Sequence, residues 1–149
     1  MVQNPIGKAV YELIEKNYSW HIDKSKTYTI TEHKKYNEVN DHCDHYVIKD
    51  DEGNEKEVRE YNVVFCPDPT ITNDDARLSK CLSDNGIYAD VYTNSEGVVM
   101  VSISWGDWKH EHGWCSTLMG YLGYSEDDEI VTEENGSDCY SAEHYFSKR

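Results

Sequence analysis

The chain lacks the sequence signatures by which most enzymes and membrane proteins can be read. No Gly-rich phosphate loop, Ser-centred elbow or paired-carboxylate motif occurs in its 149 residues, which argues against ATP chemistry and the common hydrolytic plans. Its longest apolar runs are only a few residues, far short of the ~20 that span a bilayer, so no membrane is expected as a partner. The five cysteines (Cys43, Cys66, Cys81, Cys115 and Cys139) are odd in number and include no CxxC pair. The opening MVQNPIGKAVYEL has no apolar core of a secretory leader. Reduced thiols and a cytoplasmic location are the expectation.

Basic residues are scarce too: 14 Lys and Arg stand against 29 Asp and Glu, a formal net charge of -15. The imbalance is uneven, since residues 1–36 hold six lysines and four acids while residues 37–149 hold eight basic and 25 acidic residues. Seven of the acids fall in EDDEIVTEENGSD (126–138), which has no base. Such a field repels nucleic acid and steers the protein toward a basic partner, although acidity also serves plain solubility.

What is present predicts an α+β domain. The length suits a single domain spanning residues 1–149, enough to bury roughly two-thirds of its unfolded surface. Asn4-Pro5, with Ile6, Val10, Leu13 and Ile14 at helical spacing, predicts a helix over 5–16. Residues 18–22 and 27–34 read as strands separated by a DKSK turn. Residues 45–49 and 57–66 flank DDEGNE as a hairpin whose VVF end is buried on both faces before Pro67 and Pro69 stop it. Thr72 and Asp75, three apart, resemble a capping box for a helix over 73–84 that Asn85-Gly86 ends.

The clearest period-2 signal follows, where IYADVYT and GVVMVSISW pair across 94–97. Ile87, Ala89, Val91, Val99, Val101, Ile103 and Trp105 are assigned to the core, leaving Tyr88 and Tyr92 on a mixed aromatic surface. A short helix is predicted over 114–122. Residues 125–149 read as an acidic, partly ordered tail with a short strand at 130–132 and one docked turn. The expected architecture is therefore a mainly antiparallel sheet of two hairpins plus N-terminal strands, with two to three helices packed on it.

Three constellations carry chemistry. His42, Cys43, His45, His110, His112 and Cys115 exceed the four ligands zinc takes if HCDH (42–45) and HEHGWC (110–115) meet, though neither segment has a known zinc spacing. Cys115 sits where the third helix is predicted to start, so amide dipoles would lower its pKa and His112 or His110 could serve as base; the alternative is a buried structural thiol. Third, acidic and aromatic residues form a binding surface: Tyr88, Asp90, Tyr92, Asp107, Trp108, Glu126, Asp127, Asp128 and Glu129, with Trp108 as an exposed anchor on a WGDW turn.

The function read from these features is non-enzymatic. The chain would bind and inhibit a basic protein, nucleic-acid-binding or toxin-like, in the manner of immunity or phage anti-defence proteins or of a nucleic-acid mimic. No cofactor and no direct nucleic-acid contact is expected, and Tyr88 and Tyr92 leave a homodimer open. The alternatives are a small cysteine hydrolase using Cys115 and His112, or a zinc protein using the His/Cys loops.

Overall fold

β-branched and aromatic residues set most of the backbone into strands, because such side chains pack well on a pleated, half-buried surface. The structure, a computed structural model of the chain, describes residues 4–35 and 43–149. Among the described residues it is α+β, mostly antiparallel sheet with two α-helices. Residues 2–66 and residues 67–149 separate into two units, each with its own sheet. Among the described residues, no helix is long and apolar enough to cross a membrane.

In the N-terminal unit, β1 (Ala9–Lys16), β2 (Ser19–Lys34), β3 (His45–Lys49), β4 (Glu55–Arg59) and β5 (Val63–Phe65) form a sheet of order β4-β3-β2-β1-β5. The predicted helix over 5–16 is instead β1, hydrogen-bonded on both edges, to β2 and β5. An irregularity between Val10 and Glu12 breaks the strand's alternation, so its apolar residues fall at 10, 13 and 14 and imitate helical spacing. The predicted DKSK turn marks the matching disruption in β2, where Asp23 Oδ1 accepts from the Ser25 backbone N–H at 2.9 Å. The core collects Val10, Tyr28, Ile30, Tyr46, Ile48, Val63 and Phe65. The long second arm expected for the hairpin is cut at a 3₁₀ turn (Glu60–Asn62), beyond which β5 pairs with β1. All three residues of VVF are buried, as expected.

Asn17 (φ 53°) and Tyr18 (φ 64°) are both left-handed in the two-residue turn joining β1 to β2. This is the conformation of a type I′ turn, which suits Asn-Gly and penalises a residue with a Cβ at the second position. Tyr18 is 99% exposed and gains no burial in return. Tyr18→Gly is therefore expected to stabilise the unit by about 1 kcal/mol, read as a rise of a few degrees in the thermal midpoint. A lower midpoint would contradict it.

In the C-terminal unit, α1 (Asp74–Asp84) starts with Asn73, whose side chain accepts from the Ala76 backbone N–H at 2.9 Å. The cap is thus Asn73 rather than Thr72. Asp75 instead holds β6 (Asp90–Thr93), accepting from the Thr93 hydroxyl at 2.5 Å. Gly86, at φ 86°, ends the helix, and the Ile87 N–H reaches back to the Leu82 carbonyl. β6 pairs with β7 (Val99–Asp107) in the predicted hairpin, with Val99, Val101 and Ile103 buried.

Trp105 departs from the core assignment. It sits at φ 52° in a bulge between Ile103 and Gly106 and is 45% exposed. The extra residue reverses the parity, so Gly106 turns inward where a Cβ would lie 2.7 Å from an Ile103 methyl. A π-helical turn (Trp108–His112) then leads into α2 (Gly113–Tyr121), close to the expected helix.

Residues 125–149 do not form a tail with one docked turn. β8 (Tyr124–Glu134) and β9 (Cys139–Lys148) complete a sheet of order β6-β7-β9-β8, and Ala142, His144 and Phe146 of β9 are buried. Charge on β8 reflects its place at the sheet edge, where all ten residues from 125 to 134 are exposed. β9, one strand inward, supplies the alternating buried residues.

Candidate functional site

Strand register decides which predicted surface residues meet. Residues paired across antiparallel strands project to the same face. Tyr92 of β6, Met100 of β7, Tyr145 of β9 and Asp128 of β8 make one cross-strand row. Asp90, Ser102, Glu143 and Ile130 make the next. Both rows have the parity opposite to buried Val101, Ile103, His144 and Phe146, and neither contains a Lys or Arg. Asp90 and Tyr92 thus share one acidic and aromatic face with Asp128, which is far from them in sequence, and Tyr88 is exposed just ahead of β6. A depression of about 360 Å³ extends from Asp90 past Tyr88, Ser102 and Ser104 to Ser79 and Ser83 of α1. The Tyr145 phenol donates to Glu143 at 2.5 Å, and this bond, with some burial and the carboxylate's charge, raises its pKa.

The other predicted surface residues lie elsewhere. Asp107 caps the π-helical turn, accepting from the backbone N–H of Lys109 at 2.8 Å and of His110 at 3.1 Å. Those backbone donors hold its carboxyl below the usual range. Trp108 is 50% exposed, with the Lys109 ammonium 5.5 Å from its ring centroid. Asp127 accepts from the Ser147 hydroxyl. Glu126 and Glu129 pair with Phe146 and His144 in the β8–β9 register and so face the buried side rather than the open rows.

Of the sequence-predicted ligands, His42 lies outside the described residues. Cys43 is half-buried ahead of β3, and His45 Nδ1 lies 2.9 Å from Glu57 Oε2, both within the N-terminal unit. His110 is exposed on the π-helical turn. Among the described residues, the His, Cys, Asp and Glu side chains that converge closely enough to share an ion are His112, Glu129 and His144, whose ligand atoms lie within 4.8 Å of one another. His112 Nδ1 is 2.7 Å from His144 Nε2, and both rings are buried. His112 Nε2 lies 2.9 Å from the Tyr140 carbonyl oxygen, and the two rings stack with centroids 4.0 Å apart.

Sequence reasoning missed His144, Glu129 as a ligand, and Tyr140 as their support. The signal was the alternation Ala142, His144, Phe146 in CYSAEHYFSK, which puts the histidine on the apolar face of a strand.

Cys115 does not have the lowered pKa that its position suggested. Burial, with the nearby Glu126 carboxylate, pushes its thiol up to about 12. The backbone is already helical from Trp108, so the positive end of the dipole lies well before Cys115. No family model matches the chain, and no curated protein or solved structure shows significant similarity to it.

Proposed function

We propose that the chain is a non-enzymatic binding protein that engages and inhibits a basic protein through the face formed by the Tyr92 and Asp90 rows. The observation that carries this reading is the composition of that face. Three carboxylates (Asp90, Asp128, Glu143) interleave with Tyr92, Tyr145, Met100 and Ile130, and no cation neutralises them within the rows. Aromatic and Met side chains are characteristic of interface cores, while a single sign of charge speeds and orients encounter with an oppositely charged surface. A cytoplasmic setting belongs to the same reading, consistent with cysteines that no disulfide links among the described residues.

Charge density shapes the choice of partner. β8 carries six acids over 11 residues, and at ~3.4 Å per residue that is about one charge per 6 Å, against one per ~1.7 Å of duplex DNA. Charge alone is too sparse to copy a duplex, so the aromatic rows must supply the rest of the contact. The same acids disfavour a homodimer through β8, because two such edges would face each other with like charge.

The test is capture of a basic protein from native-host lysate by the tagged chain and by an Asp90→Lys, Asp128→Lys double variant, washed across a salt series. Wild type should retain a basic protein that elutes as salt rises toward 1 M, where the screening length falls to about 3 Å. The variant should retain roughly tenfold less. Equal retention by both chains, or no basic protein on wild type, contradicts the proposal. A doubled mass in light scattering that survives the charge reversal would point to self-association instead.

A further inference from the structure

The hydrogen-bond geometry around His112 and His144 poses a problem that one ion solves. His112 Nε2 is 2.9 Å from the Tyr140 carbonyl oxygen, which can only accept, so Nε2 carries the proton and the neutral ring presents a lone pair at Nδ1. His144 Nδ1 is 3.1 Å from Glu126 Oε1. An ionised carboxylate also only accepts, so the neutral ring of His144 presents its lone pair at Nε2. Those two lone pairs face each other across 2.7 Å, in a site where His112 is 2% and His144 1% exposed. Positive charge shared by the two rings, from a proton or from a metal ion, removes that repulsion.

We propose that this charge comes from a divalent transition metal of the zinc class, held by His112 Nδ1, His144 Nε2 and the Glu129 carboxylate. Glu129 Oε1 is 3.9 Å from His144 Nε2, directly across the β8–β9 pair. Tetrahedral zinc holds imidazole nitrogen at ~2.0–2.1 Å and carboxylate oxygen at ~2.0–2.2 Å, which separates ligand atoms by about 3.3 Å. The two histidines would part by about half an ångström and Glu129 would close by about as much on His144 Nε2, with all three ligand atoms already within 4.8 Å of one another. Two imidazoles select zinc, copper, nickel or cobalt over calcium and magnesium.

The surroundings already match what such a site requires. Each ligating ring donates its other N–H outward, His112 to a carbonyl and His144 to a carboxylate, the arrangement that fixes tautomer and raises ligand basicity. The Tyr140 hydroxyl donates to Glu129 Oε1 at 2.7 Å, and the Ser116 hydroxyl to Glu126 Oε2 at 2.5 Å. Charge also balances, because one dication offsets the Glu126 and Glu129 carboxylates that flank the two buried rings. Cys115 does not belong to the converging group. The Glu129 side chain is 36% exposed, which gives the ion a path in and leaves a fourth position for water. The site ties β8, β9 and the π-helical turn together, so binding should stabilise this unit independently of the acidic face.

Isothermal titration of the metal-stripped full chain with zinc chloride at neutral pH tests this, with Co²⁺ absorption as a second readout of tetrahedral coordination. The expected result is one equivalent bound with a Kd of about 10 µM or tighter and a midpoint raised by about 5 °C in excess zinc. Glu129→Gln and His144→Gln should each weaken binding roughly tenfold or more, while His110→Ala keeps it. Glu129 is partly exposed, so its variant retains the fold and gives a reading even where the His144 substitution does not. No zinc bound by wild type at about 100 µM, or unchanged affinity in Glu129→Gln, overturns the proposal and leaves a proton between the rings.

Discussion

Replacing Phe146 with alanine should destabilise the C-terminal unit by about 3–5 kcal/mol, the cost of emptying a fully buried aromatic site. Phe146 has no exposed surface, pairs with Val99 on one side and Glu126 on the other, and lies in the strand that joins β7 to β8. Since whole domains are stable by only about 5–15 kcal/mol, a loss of this size removes much of the margin. Urea melts followed by tryptophan fluorescence measure it directly. Tyr145→Ala is the matched control, because that side chain points to the opposite, open face and should cost about 1 kcal/mol or less. Equal losses at 145 and 146 would mean that β9 is not the inner strand of the sheet. A chain ending before residue 139 should likewise fail to fold this unit, a result opposite to that expected of a dispensable acidic tail.

Thiol reactivity should rank the cysteines by burial, with Cys139 fast and Cys115 silent until the chain unfolds. Cys139 is exposed, whereas Cys115 is fully buried and its thiol is pushed up to about 12, first by loss of hydration and then by the Glu126 charge. At pH 8 only roughly one such thiol in 10⁴ is ionised, so a disulfide reagent should attack it orders of magnitude more slowly than Cys139. Rapid modification of native Cys115, located by peptide mapping, would revive its reading as a nucleophile.

The same shift sets a limit at high pH. The folded chain keeps protons on Cys115, on Cys66 (raised by burial to about 11) and on Tyr46 (raised by burial to about 12). The unfolded chain releases them from about pH 8.5 upward. The native state then binds more protons than the unfolded state, so stability falls as pH rises from about 9 toward 12 and is unaffected by these groups below that window.

Local signals were legible where local chemistry is sufficient. The helix over 74–84 was legible from its acidic first turn and its Gly86 stop, although the cap is Asn73 and not Thr72, and the β6–β7 hairpin from strict alternation around a four-residue turn, because such signals are made by neighbours in sequence. The acidic excess and the exposed Trp108 were likewise readable from residue type and turn chemistry alone. Bulges defeated the periodicity argument. One irregularity in β1 made a strand read as a helix, and another at Trp105 exchanged a predicted core residue for a glycine, since a single extra residue reverses every side chain beyond it.

Only the tertiary structure decided that the charged 125–149 segment is two strands, because the edge position that tolerates its charge and the inner position that buries Ala142, His144 and Phe146 are assigned by pairing across the sheet. The same pairing gathered Asp90, Tyr92 and Asp128 onto one face and set Glu129 opposite His144. The sequence by itself determined residue chemistry and local geometry. Which chemistries meet was decided by register, a long-range property no short window of sequence contains.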